Sequence, residues 1–386
     1  MRQLNVGIIG YKFMGRAHSN AWKKASLFFD IPFQPVLKVA CGRHLDGLTE
    51  FADKWGWEET ETDWRRLIER DDIDVIDIAT PQHLHAEIAL AAAKAGKHLF
   101  CEKPLAMTST QGEEMLRACQ ASGVTHYLNH NYRRVPAIAL AKRMIDDGLI
   151  GTVYHWRAAY QQDWITDPNF PLTWQLQREL AQAGPQWDLN SHCVDLAHYL
   201  VGQITDVTAL TRRFIDQRPL AMEGAMGNLK AEASRTGMGQ VTVEDAALML
   251  VNFKNGAVGS FEATRFANGR KNKLSFEIYG SDGAVTFDLE RLNELRYFSN
   301  RDPDGLSGFR TLLTTDESHP YIKNWWPAGH IIGYEHTFIH AVADFVTALG
   351  QGTAIKPDFS DGVAILKVLE AGLKSATERK TVTIEY

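Results

Sequence analysis

Three side chains in this chain of 386 residues could together move a proton: Lys103, Asp188 and His192. Asp188 and His192 are four residues apart, so on one helix they would share a face and could meet. An imidazole titrates near neutral pH and suits a general base, and a lysine ammonium can stabilise a developing alkoxide. Oxidation of a secondary hydroxyl needs both contributions. Taken singly, His192 could be a buried helix histidine bonded to a carbonyl and Lys103 an ordinary loop lysine, but the set of three is poorly explained in that way.

A glycine-containing loop near the N-terminus could hold phosphate groups. The apolar run that starts at Leu4 ends in Gly10-Tyr11-Lys12-Phe13-Met14-Gly15. The dinucleotide fingerprint of Rossmann folds has glycine at three positions of such a loop, and here Lys12 stands at the middle one. A helix that begins in this loop would direct free N–H groups and its positive dipole end at a diphosphate. We therefore predict a dinucleotide site at Gly10, Lys12, Phe13, Met14 and Gly15; the alternative is an ordinary glycine-rich turn between a strand and a helix.

The end of the second strand bears on which dinucleotide is bound. NAD-binding proteins usually have a carboxylate there for the ribose hydroxyls, whereas an arginine accommodates the 2′-phosphate of NADP. This chain has Gly42-Arg43-His44 after the strand-like run from Val36 to Cys41. The expected cofactor is NAD or NADP, with a weak preference for NADP from Arg43. The alternative for Arg43 is a solvated surface arginine.

The predicted strands and helices that must position these residues are spaced differently in two parts of the chain. Up to about residue 130, apolar strand-like runs alternate with helix-compatible stretches that end at Gly56, Gly96 and Gly123. This alternation predicts βαβ units and a doubly wound parallel sheet. The predicted fold class is α/β, with a Rossmann domain for dinucleotide binding over residues 1–130.

Beyond residue 130, strand-like segments lie closer together, with hairpin signals at Asn255-Gly256 and Ser281-Asp282-Gly283. This pattern predicts an α+β domain over residues 131–386, with a mostly antiparallel open sheet, for substrate binding and oligomerisation. A helix is expected from Asp188 to Leu200. The uncovered face of such a sheet would favour pairing between copies, so a homodimer or homotetramer is expected.

Composition argues against several functional classes. The chain has 41 Lys and Arg against 47 Asp and Glu, a formal net charge of −6, and so no overall positive field for nucleic acid. Its four cysteines, Cys41, Cys101, Cys119 and Cys193, have neither metal nor disulfide spacing, which is typical of a reducing compartment. Neither a signal peptide nor an apolar span of about 20 residues is visible. We expect a cytoplasmic protein without metal, nucleic-acid partner or membrane association.

Four segments, together with the glycine loop, carry a family resemblance over essentially the whole chain. They are Ala79-Thr80-Pro81-Gln82-His83-Leu84-His85, Cys101-Glu102-Lys103-Pro104, Asp188-Leu189-Asn190-Ser191-His192-Cys193-Val194-Asp195 and Gly329-His330-Ile331-Ile332-Gly333-Tyr334-Glu335-His336. The chain resembles the Gfo/Idh/MocA family of sugar and polyol oxidoreductases, and within it the levoglucosan-dehydrogenase-like branch. Glu-Lys-Pro joined to the later Asp-x-x-x-His is the most specific part of the pattern.

The resemblance implies an NAD(P)-dependent oxidoreductase that moves a hydride between nicotinamide and a secondary hydroxyl of a sugar, glycoside or polyol. His192 would be the general base, Lys103 a proton relay and electrostatic partner, and Asp188 the residue that binds and orients the substrate. The implied cofactor-binding residues are Gly10, Lys12, Phe13, Met14, Gly15, Arg43, Thr80, Pro81, His85, Glu102, Lys103 and Asn131. The implied substrate-binding residues are Tyr132, Arg133, Trp164, Trp174, Asp188, His192 and His330.

One departure from the family pattern and one set of cationic residues affect the expected substrate. The approach to Asp188 carries Trp187 and Asn190 where the family has small residues, so a differently shaped pocket is expected. Several cationic residues are candidates for binding an anionic substrate group, with cofactor phosphate or surface carboxylates as alternative partners. They are Arg133, Arg134, Arg265, Arg270 and Lys271.

Two other functions remain open from the sequence. The first is a redox-neutral, NAD-dependent glycoside hydrolase of the same fold, which oxidises a sugar transiently, eliminates the aglycone, adds water and reduces the sugar again. The second is a non-catalytic sugar- or dinucleotide-binding protein, suggested by the missing middle glycine of the loop. Retention of Lys103, Asp188 and His192 argues against the second.

Overall fold

The computed structural model describes residues 2–221 and 233–386. The chain forms two compact units. The first comprises residues 1–134 and 332–366, and the second comprises residues 135–331 and 367–386. The sequence pattern predicts one domain boundary near residue 130. The structure also assigns residues 332–366 to the first unit.

The N-terminal part of the first unit alternates strands and helices as expected. Its strands are β1 (Arg2–Ile9), β2 (Phe33–Cys41), β3 (Glu59–Glu61), β4 (Val75–Ile78), β5 (His98–Glu102) and β6 (His126–Asn129). Its helices are α1 (Phe13–Phe28), α2 (Leu45–Trp55), α3 (Trp64–Glu69), α4 (His85–Lys94) and α5 (Ser109–Ser122). The strands form one parallel sheet in the order β3-β2-β1-β4-β5-β6. This confirms the doubly wound Rossmann prediction and puts the topological switch point between β1 and β4, where such folds bind ligands.

Local sequence explains where these helices begin and end. The side chain of Asp63 accepts a hydrogen bond from the Arg65 amide and so caps the N-terminus of α3. Gly56 and Gly123 end α2 and α5 in the left-handed conformation that glycine adopts without strain. Strand β4 is buried at all four positions, as a strand covered on both faces must be, and Asp77 is its one charged residue.

The second unit adds helices and a larger sheet. Its helices are α6 (Pro136–Asp146), α7 (Arg178–Ala181), α8 (Pro185–Asp188) and α9 (Asn190–Leu200). Its strands up to residue 331 are β7 (Val153–Gln161), β8 (Ile204–Arg212), β9 (Gln217–Ala221), β10 (Ala233–Gln240), β11 (Ala246–Phe253), β12 (Val258–Thr264), β13 (Lys273–Gly280), β14 (Gly283–Asp288), β15 (Glu294–Ser299) and β16 (Arg310–Leu313). After the first unit resumes, the chain forms α10 (Tyr334–Gln351), α11 (Phe359–Glu378) and β17 (Val382–Thr383).

The main sheet of the second unit has nine strands in the order β16-β15-β14-β13-β7-β12-β11-β8-β17. Only β7 and β12 pair in parallel among these neighbours, so the prediction of a mostly antiparallel sheet is confirmed. Along β11 buried and exposed residues alternate, and one face of the strand presents Leu248 and Leu250. In the described part of the chain, no helix is both long and apolar enough to cross a bilayer.

The expected continuous helix from Asp188 to Leu200 is wrong in one respect. Asp188 is the last residue of α8, and His192 lies in the first turn of α9. Leu189 between them keeps right-handed helical dihedral angles, and the His192 amide bonds to its carbonyl at 3.1 Å. The i, i+4 argument for these two side chains assumed one uninterrupted helix, whereas two short helices carry them.

Candidate active site

The glycine loop of the first unit has the geometry that close approach to a ligand requires. Gly10 has φ +111°, and a Cβ at this position would lie 2.4 Å from the Ala79 carbonyl oxygen. A Cβ on Gly15 would lie 2.3 Å from the Gly10 carbonyl oxygen, so α1 packs closely on the end of β1. Gly10 therefore makes the tight turn and Gly15 permits the close packing of helix and strand, as the fingerprint requires.

The other residues of this loop lie at its surface. Lys12 is the N-cap of α1 and places its ammonium 5.1 Å from the centre of the Tyr11 ring. Phe13 is 56% exposed and stacks on Tyr334 with ring centres 6.5 Å apart, while Met14 is half-buried. Arg43 is exposed beyond β2. The Lys12 side chain makes no capping hydrogen bond to the first amides of α1.

The loop after β4 contains a buried hydroxyl and a bridging histidine. Thr80 Oγ1 is shielded from solvent and has no hydrogen-bond partner among the residues that the structure describes. Pro81 precedes a single turn of 3₁₀ helix, Gln82–Leu84. The two ring nitrogens of His85 lie 2.9 Å from the carbonyl oxygens of Thr80 and Pro104. Burial lowers the pKa of His85, and its ring lies between the two loops that follow β4 and β5.

Glu102 is the last residue of β5, and Lys103 follows it in the next loop. Glu102 is 4% exposed and accepts hydrogen bonds on Oε1 from His18 and Asn129, at 2.8 and 2.7 Å. Its other oxygen accepts from the Lys103 amide at 3.3 Å. Lys103 is half-buried, and its peptide bond to Pro104 is cis. With both oxygens occupied, Glu102 is placed to fix the loop that carries Lys103 rather than to hold a ribose directly.

Residues just beyond β6 are buried within the first unit. Asn131 donates from Nδ2 to Thr337 Oγ1 at 2.8 Å, and the Tyr132 ring packs edge-on against Tyr334. Arg133 is 4% exposed and lies 3.4 Å from a carboxylate oxygen of Asp361. Arg134 likewise contacts Asp344 at 3.0 Å and stacks on Tyr127, so both arginines have carboxylate partners inside the unit.

In the second unit, Asp188 is held by a buried arginine. Asp188 Oδ2 accepts a hydrogen bond from Arg265 Nη2 at 2.7 Å. The Arg265 side chain is 1% exposed, whereas that of Asp188 is 38% exposed. The Arg265 guanidinium also lies 5.2 Å from the centre of a Trp164 ring, a cation–π contact. A buried cation thus holds an accessible carboxylate beside an aromatic face, an arrangement suited to binding hydroxyl groups of a polar ring.

The remaining predicted residues of this unit are in different environments. His192 is 5% exposed, and its ring packs against Tyr160 with centres 5.7 Å apart. Trp164 donates from Nε1 to Gln162 at 2.9 Å, and Trp174 begins a half-buried 3₁₀ turn. His330 lies exposed in a loop with Nδ1 2.8 Å from the Pro327 carbonyl oxygen.

The structure places two further sets of residues singled out in the sequence. Arg270 and Lys271, offered for an anionic substrate group, form exposed ion pairs with Glu290 at 3.5 Å and Asp163 at 2.7 Å. Trp187 and Asn190, expected to reshape the pocket, are both fully buried. Asn190 donates to Gln186 Oε1 at 2.8 Å. Arg265 forms an ion pair with Asp188, so its guanidinium already has a carboxylate partner.

All four cysteines are buried thiols, and burial raises the pKa of Cys41 to about 12. Over residues 2–221 and 233–386 no group of three His, Cys, Asp or Glu side chains could hold a metal ion.

The first unit fits a dinucleotide. The loop at Gly10 and Gly15 leaves no room for side chains where a diphosphate would approach, and the buried Thr80 hydroxyl has an unused hydrogen-bonding capacity. Gly10, Gly15 and the first amides of α1 would hold the diphosphate. Thr80 would meet the nicotinamide half, because it follows β4 beside the switch point.

Sequence reasoning missed His18, Asp77 and Asn129, which contact Glu102 or its partners. One signal for them was present. Asp77 interrupts the apolar strand Val75–Ile78, and a carboxylate in such a strand requires a buried partner.

Comparisons with known proteins identify the family of the chain. The family described as an oxidoreductase family with an NAD-binding Rossmann fold matches residues 4–130, and the Gfo/Idh/MocA C-terminal domain matches residues 138–286. Levoglucosan dehydrogenase of Pseudarthrobacter phenanthrenivorans is 42% identical over 386 residues, covering 100% of this chain and 99% of that protein.

Two solved structures are similar along the whole chain. Levoglucosan dehydrogenase in complex with NADH and levoglucosan has a TM-score of 0.94 at 41% identity, with 100% of both chains covered. An oxidoreductase domain protein from Kribbella flavida has a TM-score of 0.94 at 45% identity, again with 100% of both chains covered.

The fold and the paired loops define an oxidoreductase with an NAD-binding Rossmann domain. The chain belongs to the Gfo/Idh/MocA family. The resemblance inferred from the Glu-Lys-Pro and Asp-x-x-x-His segments is thereby confirmed.

Proposed function

We propose that this protein is an NAD-dependent sugar dehydrogenase that oxidises a secondary hydroxyl of levoglucosan or a closely related sugar. The observation that carries the proposal is Asp188, an accessible carboxylate fixed by buried Arg265 beside Trp164, on a chain with an NAD-binding Rossmann unit. The full-length similarity to levoglucosan dehydrogenase supports the choice of sugar.

Each of the three chemical residues has a distinct role in this proposal. Asp188 accepts hydrogen bonds from substrate hydroxyls and orients the ring. The His192 imidazole takes the proton of the hydroxyl that is oxidised, and Lys103 Nζ stabilises the oxygen as negative charge develops on it. The nicotinamide, when bound, accepts the hydride.

NAD is the proposed physiological cofactor. Levoglucosan dehydrogenase, 41% identical to this chain, has been solved with NADH. Arg43 is exposed, and Gly42 packs under the Tyr11 ring, where an added Cβ would lie 2.3 Å from a ring carbon. The Tyr11 ring thus covers the backbone at the end of β2. The preference for NADP drawn from Arg43 has no support from its placement.

A substrate panel with both cofactors tests the proposal. Levoglucosan, L-sorbose, D-apiose and myo-inositol are each incubated with NAD and with NADP while reduced cofactor is followed by absorbance. We expect the highest kcat/KM with levoglucosan and NAD. The absence of turnover with every sugar and both cofactors would refute the dehydrogenase assignment.

The same panel separates the glycoside hydrolase alternative. Aryl glycosides are added, and released aglycone is measured beside reduced cofactor. Aglycone release without accumulation of reduced cofactor would favour the hydrolase. The cationic residues considered for an anionic substrate group are paired with carboxylates within their own units. The dehydrogenase is therefore favoured over a hydrolase that acts on an anionic glycoside.

A further inference from the structure

A buried cluster of three ionisable side chains lies within the first unit, and the proposed chemistry does not use it. His18 is on α1, Asp77 is in β4 and Glu102 is the last residue of β5. Their exposed fractions are 0%, 0% and 4%. Charged groups without solvent are costly unless they are paired, so the contacts within the cluster decide what it does.

His18 links the two carboxylates through its two ring nitrogens. Nδ1 lies 2.8 Å from Asp77 Oδ1, and Nε2 lies 2.8 Å from Glu102 Oε1. Each carboxylate also accepts a hydrogen bond from another side chain. Trp22 donates to Asp77 Oδ2 at 2.6 Å, and Asn129 donates to Glu102 Oε1 at 2.7 Å.

This geometry determines the protonation state of His18. A neutral imidazole has a single N–H, yet both ring nitrogens here face a carboxylate oxygen at hydrogen-bond distance. An imidazolium satisfies both carboxylates at once. Burial alone would lower the pKa of His18, but Asp77 and Glu102 outweigh that cost and raise it to about 10.

The cluster acts on the strand end that carries Lys103. Glu102 immediately precedes Lys103, and its Oε2 accepts the Lys103 amide at 3.3 Å. Because His18 and Asn129 hold Oε1, the Glu102 side chain is fixed from the interior while it orients the next peptide group. Replacing a buried ion cluster by apolar residues is often neutral for stability, so stability alone gives little reason for this arrangement.

We propose that His18 is a positioning residue for the candidate active site: as an imidazolium between Asp77 and Glu102, it fixes Glu102 and thereby the backbone from which Lys103 projects. This inference rests on the proposed function, because Lys103 matters only if it acts on a bound sugar. Other ionisable groups interact electrostatically with Glu102 and share its field. They are Lys103, His85, His130, Cys101 and Tyr334.

The first arm of the test compares two substitutions on the same helix. His18→Gln removes the cation from between the carboxylates, whereas Trp22→Phe removes one hydrogen bond to Asp77 and leaves Glu102 untouched. We expect kcat of His18→Gln to fall about 10-fold or more, because small displacements of a reacting group are costly in rate. NADH affinity should stay within about threefold of the unmodified protein, as the diphosphate loop is unchanged. Trp22→Phe should keep its kcat.

The second arm separates positioning from packing. Glu102→Gln is combined with His18→Gln, and kcat is measured against pH for both single variants and the double variant. If His18 acts through Glu102, the two losses are less than additive. The acid limb of the His18→Gln profile should also move to higher pH, because a buried Glu102 without its cation takes up a proton more readily. Additive losses with an unchanged profile, or an equal loss of kcat in Trp22→Phe, would overturn the proposal.

The third arm needs no turnover. The protein is labelled with ¹⁵N-histidine, and the His18 ring nitrogens are followed by NMR from pH 6 to 10. We expect an imidazolium at pH 8 that loses its proton at a lower pH in Glu102→Gln. A neutral His18 ring at pH 8 would overturn the proposal even if His18→Gln failed to fold. Inactivity of the unmodified protein beside an imidazolium signal would refute the dehydrogenase assignment while supporting the His18–Glu102 link.

Discussion

Asp188 and Glu102 are each paired with a buried cation, and this pairing holds both carboxylates in position. Arg265 is 1% exposed beneath Asp188, and His18 is fully buried beside Glu102. Moving either carboxylate away would leave a charge in the interior without its partner, which is expensive. Both carboxylates are therefore held in place more firmly than exposed ion pairs, which contribute little.

Removal of the Lys103 ammonium should lower turnover strongly. Lys103→Met keeps the length of the side chain but not its charge, and we expect kcat to fall by about 10²–10⁴, the usual contribution of such a group. NADH binding, followed by fluorescence, should persist. Lys94→Met, at an exposed position of α4, is the matched control and should keep full activity. Unchanged turnover in Lys103→Met would refute the site assignment.

Loss of Arg265 should weaken recognition of the substrate by Asp188. In Arg265→Met the carboxylate loses its 2.7 Å partner, and we expect kcat/KM for the best sugar to fall about 10- to 100-fold, with partial recovery in Arg265→Lys. Arg270→Met removes an exposed pair with Glu290 and should change kcat/KM less than about threefold. Equal effects of Arg265→Met and Arg270→Met on kcat/KM would contradict the role given to Arg265.

Protonation of His18 should make stability depend on pH in the alkaline range. The pKa of His18 is raised from 6.5 to about 10 on folding, so between these values the folded chain binds one more proton than the unfolded chain. Its contribution is complete below pH 6.5 and is lost as pH rises through 10, with a slope of about 1.4 kcal/mol per pH unit. Urea unfolding of the unmodified protein and His18→Gln at pH 7, 8 and 9 measures this slope. A slope as steep in His18→Gln would contradict it.

At the scale of elements, the βα loops of the first unit combine glycine geometry with helix ends. Gly10 follows β1 and has a backbone conformation that residues with a side chain rarely adopt, and α1 begins three residues later. His85 then joins the loops after β4 and β5 through two carbonyl oxygens. The loops at this edge of the sheet are therefore fixed to one another, which suits a site that must hold a cofactor in one orientation.

An added methyl group should test the diphosphate loop. Gly10→Ala puts a Cβ 2.4 Å from a backbone oxygen at φ +111°, and we expect the free energy of unfolding to fall by more than about 2 kcal/mol, with weaker NADH binding. Gly96→Ala has φ +73° but no neighbour within 4 Å, so it should cost about 1 kcal/mol and leave NADH affinity unchanged. Urea unfolding and NADH titration of both variants measure these effects. Equal NADH affinities would contradict a role of Gly10 in binding.

Local signals predicted the elements of the first unit well. The Asp63 cap and the glycine stops are decided within a few residues of chain, so sequence shows them directly. The break between α8 and α9 was missed because Leu189 keeps helical dihedral angles and the apolar pattern continues. The partners of His18 were missed because they lie 59 and 84 residues away along the chain, and no local pattern links residues so distant.

At the scale of the whole molecule, one feature of the second unit bears on assembly. Its nine-stranded sheet presents exposed leucines on neighbouring strands, with Leu210 65%, Leu248 45% and Leu250 64% exposed. Exposed apolar groups that lie side by side on a sheet face are typical of a surface that pairs with another copy.

Association through this face can be measured directly. We expect a solution mass of at least two 43.3 kDa chains, and dissociation in Leu250→Glu because a carboxylate would be buried in the contact. Leu27→Glu alters a 73% exposed leucine of α1 and should leave the mass unchanged. Light scattering after gel filtration distinguishes these outcomes, and a monomeric unmodified protein would contradict the expected homo-oligomer.

The return of residues 332–366 to the first unit has a consequence for how the protein is made. Helix α10 packs against α1, and Thr337 on α10 receives the Asn131 side chain, so the Rossmann unit is incomplete without them. During synthesis the ribosome must translate the entire intervening segment before the cofactor-binding half can finish folding. A fragment that stops at residue 134 would expose the apolar surface of α1 that α10 normally covers. Because residues 332–366 are synthesised late, the first unit can complete its folding only late in translation.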